Sequence, residues 1–201
     1  ALGFAYLDTG AMFRMTALLL GAAVLELSPE KRKTELEKLV FSLEGCGQES
    51  RIFCNGIPAD DRIRTESVAS VAASLGVCED VRAFLKTSQQ NMGKSRSLVA
   101  EGRDMGTVVF PAAGCKFFLD ASLEERARRR VNQLREMGKP ADFDEILNQI
   151  TERDQKDRTR AIAPLKPAAD AVIVDTTSLD LEGVFNVLLL QSKKCLHTPT
   201  L

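Results

Sequence analysis

Four stretches of this 201-residue chain carry side chains whose types and spacing suit phosphate chemistry. In the first, Asp142 to Ala163, Phe143, Ile146, Leu147 and Ile150 recur at helical spacing and form an apolar stripe. Continued along the helix, that stripe lands on Arg153, Asp157 and Arg160, so a core-facing line turns charged partway along. Arg158 and Asp154 fall on other faces. Guanidinium forks bind phosphate, and a carboxylate accepts from ribose hydroxyls. Two arginines flanking one acid would therefore suit a sugar–phosphate. The plain alternative is a solvated helix end laced with i,i+4 pairs.

The second stretch, Ser122 to Gly138, places Arg126, Arg128, Arg129 and Arg130 within five residues. Glu124–Arg128 and Glu125–Arg129 are spaced to pair, which leaves cationic excess. That excess suits either a polyphosphate clamp, where charge builds during transfer, or an exposed salt-bridged helix. The third, "VAEGRDMGTVVFP", runs an apolar strand into Glu101, and Gly102 is expected to make a tight turn. Arg103 then offers a donor fork beside Asp104, an acceptor. Glu101 stands where nucleotide-binding folds often put a metal-directed acid, or is a turn residue. In the fourth, "YLDTGAMFR", Asp8 ends a strand, Thr9 supplies a hydroxyl or a helix cap, and Arg14 lies early on the next helix.

The elements that must position these groups can be read from periodicity. Phe4 to Leu7, Ser97 to Ala100, Lys116 to Leu119 and Ala171 to Val174 are short apolar runs, each followed by an acid. Near-continuous apolar character predicts parallel strands buried on both faces, with helices between them. Acids just past the strand ends suit the crevice where α/β sheets bind ligands. The region from about Leu36 to Arg64 differs. Val40 to Leu43 and Arg51 to Cys54 read as strands, Asn55-Gly56 as a hairpin turn, and the whole as a small antiparallel insert. Helices are expected around Val68 to Leu75 and Val81 to Leu85, and disorder in the tail from Lys193.

Composition narrows the function class. Net charge is −1, so nothing global argues for nucleic acid or a membrane surface. No apolar run approaches the ~20 residues needed to span a bilayer. Five cysteines without CxxC spacing and a single His make a zinc site a poor fit. An odd, scattered set of thiols predicts reduced cysteines and a cytoplasmic location.

In order and spacing, "YLDTGAMFR", "EGRDMGTVVFP", "FFLDASLEERARRR", "ERDQKDRTRAIAPL" and "AADAVIVDTT" resemble a bacterial-type cytidylate (CMP/dCMP) kinase. The resemblance covers almost the whole chain. It implies an α/β fold of the P-loop nucleoside monophosphate kinase type: a parallel sheet flanked by helices, a small antiparallel NMP-binding insert and a helical lid. The divisions implied are 1–34 core, 35–92 insert and helices, 93–125 core, 126–160 lid and flanking helices, and 161–201 core. The implied activity is transfer of the γ-phosphoryl of ATP to CMP or dCMP, with Mg²⁺, by a monomer.

By motif match, Thr9 and Arg14 line the acceptor site, and Arg82 and Asp104 contact the cytosine ring. Arg103 and Arg160 hold the acceptor phosphate, Arg153 and Asp157 sit near the ribose, and Arg129 and Arg130 belong to the lid over the ATP phosphates. Arg103, Arg160, Arg129 and Arg130 are the expected catalytic set, with no protein metal ligand. The family's base-contacting serine falls at Ala73, with Ser70 and Ser74 close by, and Thr9 and Glu101 replace the commoner Ser and Asp.

No Gly-x-x-x-x-Gly-Lys-[Ser/Thr] loop occurs in the 201 residues. The family carries one just before the segment matching this N-terminus. The expectation is that about 25 further residues precede Ala1 in the parent protein, from typical element lengths. This chain alone is expected to be inactive. The alternatives are a nucleotide-binding fragment without catalysis and a related small-molecule kinase.

Overall fold

The structure is a computed structural model, and it describes residues 1–197. It divides into two units, Ala1–Met105 and Gly106–Leu201, each with its own apolar core.

In the first unit, β1 (Ala5–Asp8) runs into α1 (Thr9–Leu20), and α2 (Pro29–Leu36) follows. Residues 1–4 are irregular. The predicted insert is present: β2 (Phe41–Glu44), β3 (Arg51–Cys54) and β4 (Ile57–Pro58) form an antiparallel sheet. Asn55 and Gly56 turn the β3–β4 hairpin at φ 51° and 75°, as a two-residue loop with both centres left-handed requires. Then come α3 (Glu66–Leu75), α4 (Glu79–Ser95) and β5 (Leu98–Glu101). β5 pairs parallel with β1, and the register sets Asp8 opposite Glu101.

The second unit contains β6 (Phe117–Asp120), α5 (Leu123–Glu136), α6 (Phe143–Thr159), β7 (Val172–Asp175) and α7 (Leu181–His197). β6 and β7 are parallel, with Asp120 opposite Asp175. The two helices of the charged region start where the capping residues place them. Ser122 accepts from the Glu125 amide at 3.2 Å, and Asp142 accepts from the Glu145 amide at 2.8 Å. α5 and α6 bury Ala127, Val131 and Ile146 between them.

Two expectations are corrected. The parallel strands are not covered on both faces: Ala5, Leu7, Leu98 and Ala100 join the first core, whereas Tyr6 and Val99 on the opposite face are exposed. In the other pair Val174 is buried and Ile173 is 63% exposed. Strand side chains alternate in direction, and packing within each unit reaches one face of its pair. The tail is the second correction. Lys193 to His197 continue α7, while residues 198–201 lie outside the described residues.

Candidate functional site

The carboxyl ends of β1 and β5 hold Thr9, Arg103 and Asp104 of the expected acceptor-side groups. Asp8 is the N-cap of α1, accepting from the Ala11 amide at 3.0 Å, so Thr9 is not the cap. Thr9 is buried, and its Oγ1 instead donates to the Glu101 main-chain oxygen at 2.6 Å, lacing α1 to the end of β5. The next residue, Gly102, has no left-handed φ. Its need is space: a Cβ there would stand 2.4 Å from Thr9 Oγ1 and 2.8 Å from Met105 Cε. The chain does bend over residues 102–104, without a left-handed glycine.

Beyond Gly102, Arg103 is exposed and Asp104 is buried. α4 delivers Arg82 to Asp104, where guanidinium and carboxylate form a close ion pair with side chains 11% and 10% exposed. Arg82 Nη1 also donates to the Gly76 carbonyl at 3.0 Å, and the guanidinium carbon lies 5.9 Å from the centre of the Phe13 ring. Charge-assisted hydrogen bonds and a cation–π contact offset the cost of burying this cation. Arg32 donates to Asp80 at 2.6 Å and so ties α2 to the first turn of α4, two residues before Arg82. Arg14, on α1, donates to the Ile63 carbonyl at 3.3 Å. Beside the site, Ser74 Oγ on α3 donates to the Ser70 carbonyl.

In the second unit, Arg153, Asp157 and Arg160 do come together. Asp157 Oδ1 is 3.6 Å from Arg160 Nη1, and Oδ2 is 4.0 Å from Arg153 Nε. The stripe is graded. Arg153 is 66% exposed at the side chain, whereas Asp157 and Arg160 are largely shielded, and Arg160 Nε donates to the Ala163 carbonyl at 2.6 Å. Asp154, read from spacing as lying on another face, is shielded too and pairs with Arg126 of α5. Helical spacing cannot show which neighbouring helix supplies a partner. Arg126 is therefore spent on α5–α6 packing rather than left in a cationic cluster.

Arg128, Arg129 and Arg130 of α5 are engaged as well. Arg128 pairs with Glu125, at i,i+3 rather than with Glu124 as expected, and Arg129 Nε reaches the same carboxylate at 3.0 Å. Arg129 also donates to Thr176 Oγ1 at 3.0 Å and to the Leu179 carbonyl at 3.1 Å, holding α5 against the turn after β7. Arg130 donates to Gln133 at 2.6 Å on the exposed side.

A cytidylate kinase family model matches residues 1–194 of the chain. The chain belongs to the cytidylate kinase family. It is 52% identical to a cytidylate kinase of Maridesulfovibrio salexigens over 190 residues, covering 94% of this chain and 85% of that one. It is 50% identical to one from Oleidesulfovibrio alaskensis, covering 96% and 88% of the two chains. A "cytidylate kinase 1" of Haemophilus influenzae is 44% identical over 192 residues. The cytidylate kinase family has the P-loop nucleoside monophosphate kinase fold, in keeping with parallel strands, flanking helices and a small antiparallel sheet. Arg82 and Asp104, named together by motif match, lie side by side, and two further groups stand near them that the sequence did not single out. The ring of Phe13 under Arg82 was visible in "YLDTGAMFR" only as an apolar helix residue. The Tyr6 phenol, which donates to the Glu101 carboxylate, was read only as a strand residue.

Proposed function

We propose that this chain serves the transfer of a phosphoryl group from ATP to CMP or dCMP. The match of residues 1–194 to the cytidylate kinase family carries the reading. The buried Arg82–Asp104 pair supports the choice of acceptor. A carboxylate accepts from the exocyclic amine of cytosine, and the neighbouring guanidinium donates to the ring acceptors. A uracil carbonyl at the amine position would face the same carboxylate without a donor, which is penalised. Thr9 and Arg14 line the acceptor site in this proposal. Arg103 and Arg160 hold the acceptor phosphate, and Arg153 with Asp157 engages the ribose.

Phosphoryl transfer asks the protein mainly for position and charge neutralisation. Arg129 and Arg130 are proposed to meet the ATP phosphates. For Arg129 this means exchanging the carbonyls of Thr176 and Leu179 for phosphate oxygens. Among the described residues no three His, Cys, Asp or Glu side chains gather as a metal cage. Mg²⁺ in such reactions is held by one or two carboxylates and the substrate phosphates, so the residues present fit an ion carried by ATP. Cytoplasmic action is part of the proposal, in keeping with cysteines that are free thiols among the described residues, and so is action as a monomer. No helix among those residues is long and apolar enough to cross a membrane.

The test has two arms. CMP, dCMP, UMP and AMP are compared as acceptors with ATP and Mg²⁺ in the full-length protein, and CMP is titrated into the 201-residue chain by calorimetry. Transfer preferring CMP or dCMP is expected of the full-length protein, and a preference for AMP would refute the reading. The 201-residue chain is expected to bind CMP without turnover, and robust turnover by it would overturn the expectation that a further phosphate-binding loop is needed.

A further inference from the structure

Four acids end the four parallel strands, and three of them serve their own turns. Asp8 caps α1, Asp120 accepts from the Ala121 amide at 3.0 Å, and Asp175 accepts from Thr177 at 2.8 Å (amide) and 2.6 Å (hydroxyl). Glu101 is different. Its carboxylate reaches sideways to the neighbouring strand and accepts the phenol of Tyr6. In the β1–β5 register Tyr6 lies opposite Val99, so the pair is diagonal on one face. Diagonal neighbours stand about 7–8 Å apart at Cα, within reach of long and aromatic side chains. An aspartate, one methylene shorter, falls short of that contact.

The main chain of Glu101 is held as well, since its carbonyl accepts from Thr9 Oγ1 at 2.6 Å and the residue pairs with Asp8 in the ladder. Both ends of the last residue of β5 are thus fastened to β1 and α1. Gly102, Arg103 and Asp104 follow at once. Partial burial, and then the bond to Glu101, raise the Tyr6 pKa above its ordinary value, so the phenol keeps the proton it donates.

We propose that Tyr6 and Glu101 are a positioning pair for the acceptor site, fixing where Arg103 and Asp104 leave the sheet. The proposal rests on the acceptor-site reading above. Asp104 must meet Arg82 in a buried ion pair, so a shift in the strand end is passed directly to the group that reads the base.

The experiment compares Tyr6→Phe, Glu101→Asp, Glu101→Gln and the double variant Tyr6→Phe/Glu101→Asp. Amide hydrogen exchange over residues 101–105 of the free protein is read first, then affinity for CMP and for UMP. Tyr6→Phe and Glu101→Asp are each expected to speed exchange about fivefold, for loss of one hydrogen bond to a charged group in a half-exposed setting. CMP affinity falls by a similar factor, UMP affinity changes less, and the CMP preference narrows. The double variant is no worse than either single one, and Glu101→Gln, which keeps a carbonyl acceptor at full length, recovers most of the loss. Unchanged exchange in both single variants, or additive losses in the double, would overturn the pair. So would equal weakening of CMP and UMP alongside a lowered melting temperature, which marks a merely structural role. A wild-type chain that ignores CMP overturns the acceptor reading instead, while the exchange data still report on the strand end.

Discussion

Replacing Gly102 by Ala tests the close approach on which the β5 end depends. The new Cβ would stand 2.4 Å from Thr9 Oγ1, a separation that real Cβ contacts do not show, and 2.8 Å from Met105 Cε. The methionine end can swing away at little cost. Thr9 cannot yield so easily, being 3% exposed with its hydroxyl bonded to Glu101 O. Turning the hydroxyl aside loses a buried hydrogen bond, about 1–3 kcal/mol, and the residual overpacking adds a comparable amount. Reduced freedom of the unfolded chain returns about 0.4–1 kcal/mol. The net expectation is a loss of about 2 kcal/mol, and melting about 4–8 °C lower for a protein of this size. Thr9→Ala alone should cost about 1 kcal/mol, mainly for the donor it removes. In the double variant the clash has nothing to strike, so the combined cost should fall well below the sum. Urea titrations of the four proteins measure that coupling. A Gly102→Ala protein of wild-type stability, or costs that add within about 0.5 kcal/mol, would refute the steric argument.

Removing one partner of the Arg82–Asp104 pair should destabilise by about 3–5 kcal/mol because a buried charge is left uncompensated, and Asp104→Ala should also abolish the preference for CMP over UMP in calorimetry. Loss of Arg126 should lower the melting temperature through the α5–α6 contact, and Asp154→Ala in that background should add little in a double-mutant cycle. Titration with a thiol reagent should find Cys46 fast and Cys54 slow. Cys46 is exposed, whereas burial pushes the Cys54 thiol up to about 11. The Lys116 bond pushes the Asp170 carboxyl below its ordinary 3.8. A depressed folded-state pKa stabilises above the unfolded value and is lost as pH falls through the folded one. The difference in melting temperature between wild type and Lys116→Ala should therefore shrink as pH is lowered from about 5 to 2.5.

Local chemistry explains why much of this molecule could be read before it was seen. Ser122 and Asp142 cap helices because a short acceptor before an amphipathic run satisfies amides that would otherwise be orphaned, whatever lies elsewhere in the chain. Asn55-Gly56 turns the hairpin for a similarly local reason, and the four strands stand within one residue of the apolar runs that announced them. The pairing of Asp157 with Arg153 and Arg160 follows from helical spacing and a bond across the helix end. Partners across the fold have no such signature. Nothing in the order of residues says that Asp154 meets Arg126, 28 positions away, or that Arg82 of α4 reaches Asp104. Gly102 looked like a turn residue because glycine's commonest use is conformational freedom. Only the packing of Thr9 against it revealed that what mattered was the missing Cβ. Sequence alone thus carried the resemblance to the family, through its motifs, and the element order, through the spacing of apolar and capping residues. Tertiary structure alone decided which charges are spent on one another and which strand face is covered, because both depend on distances between segments remote in the chain.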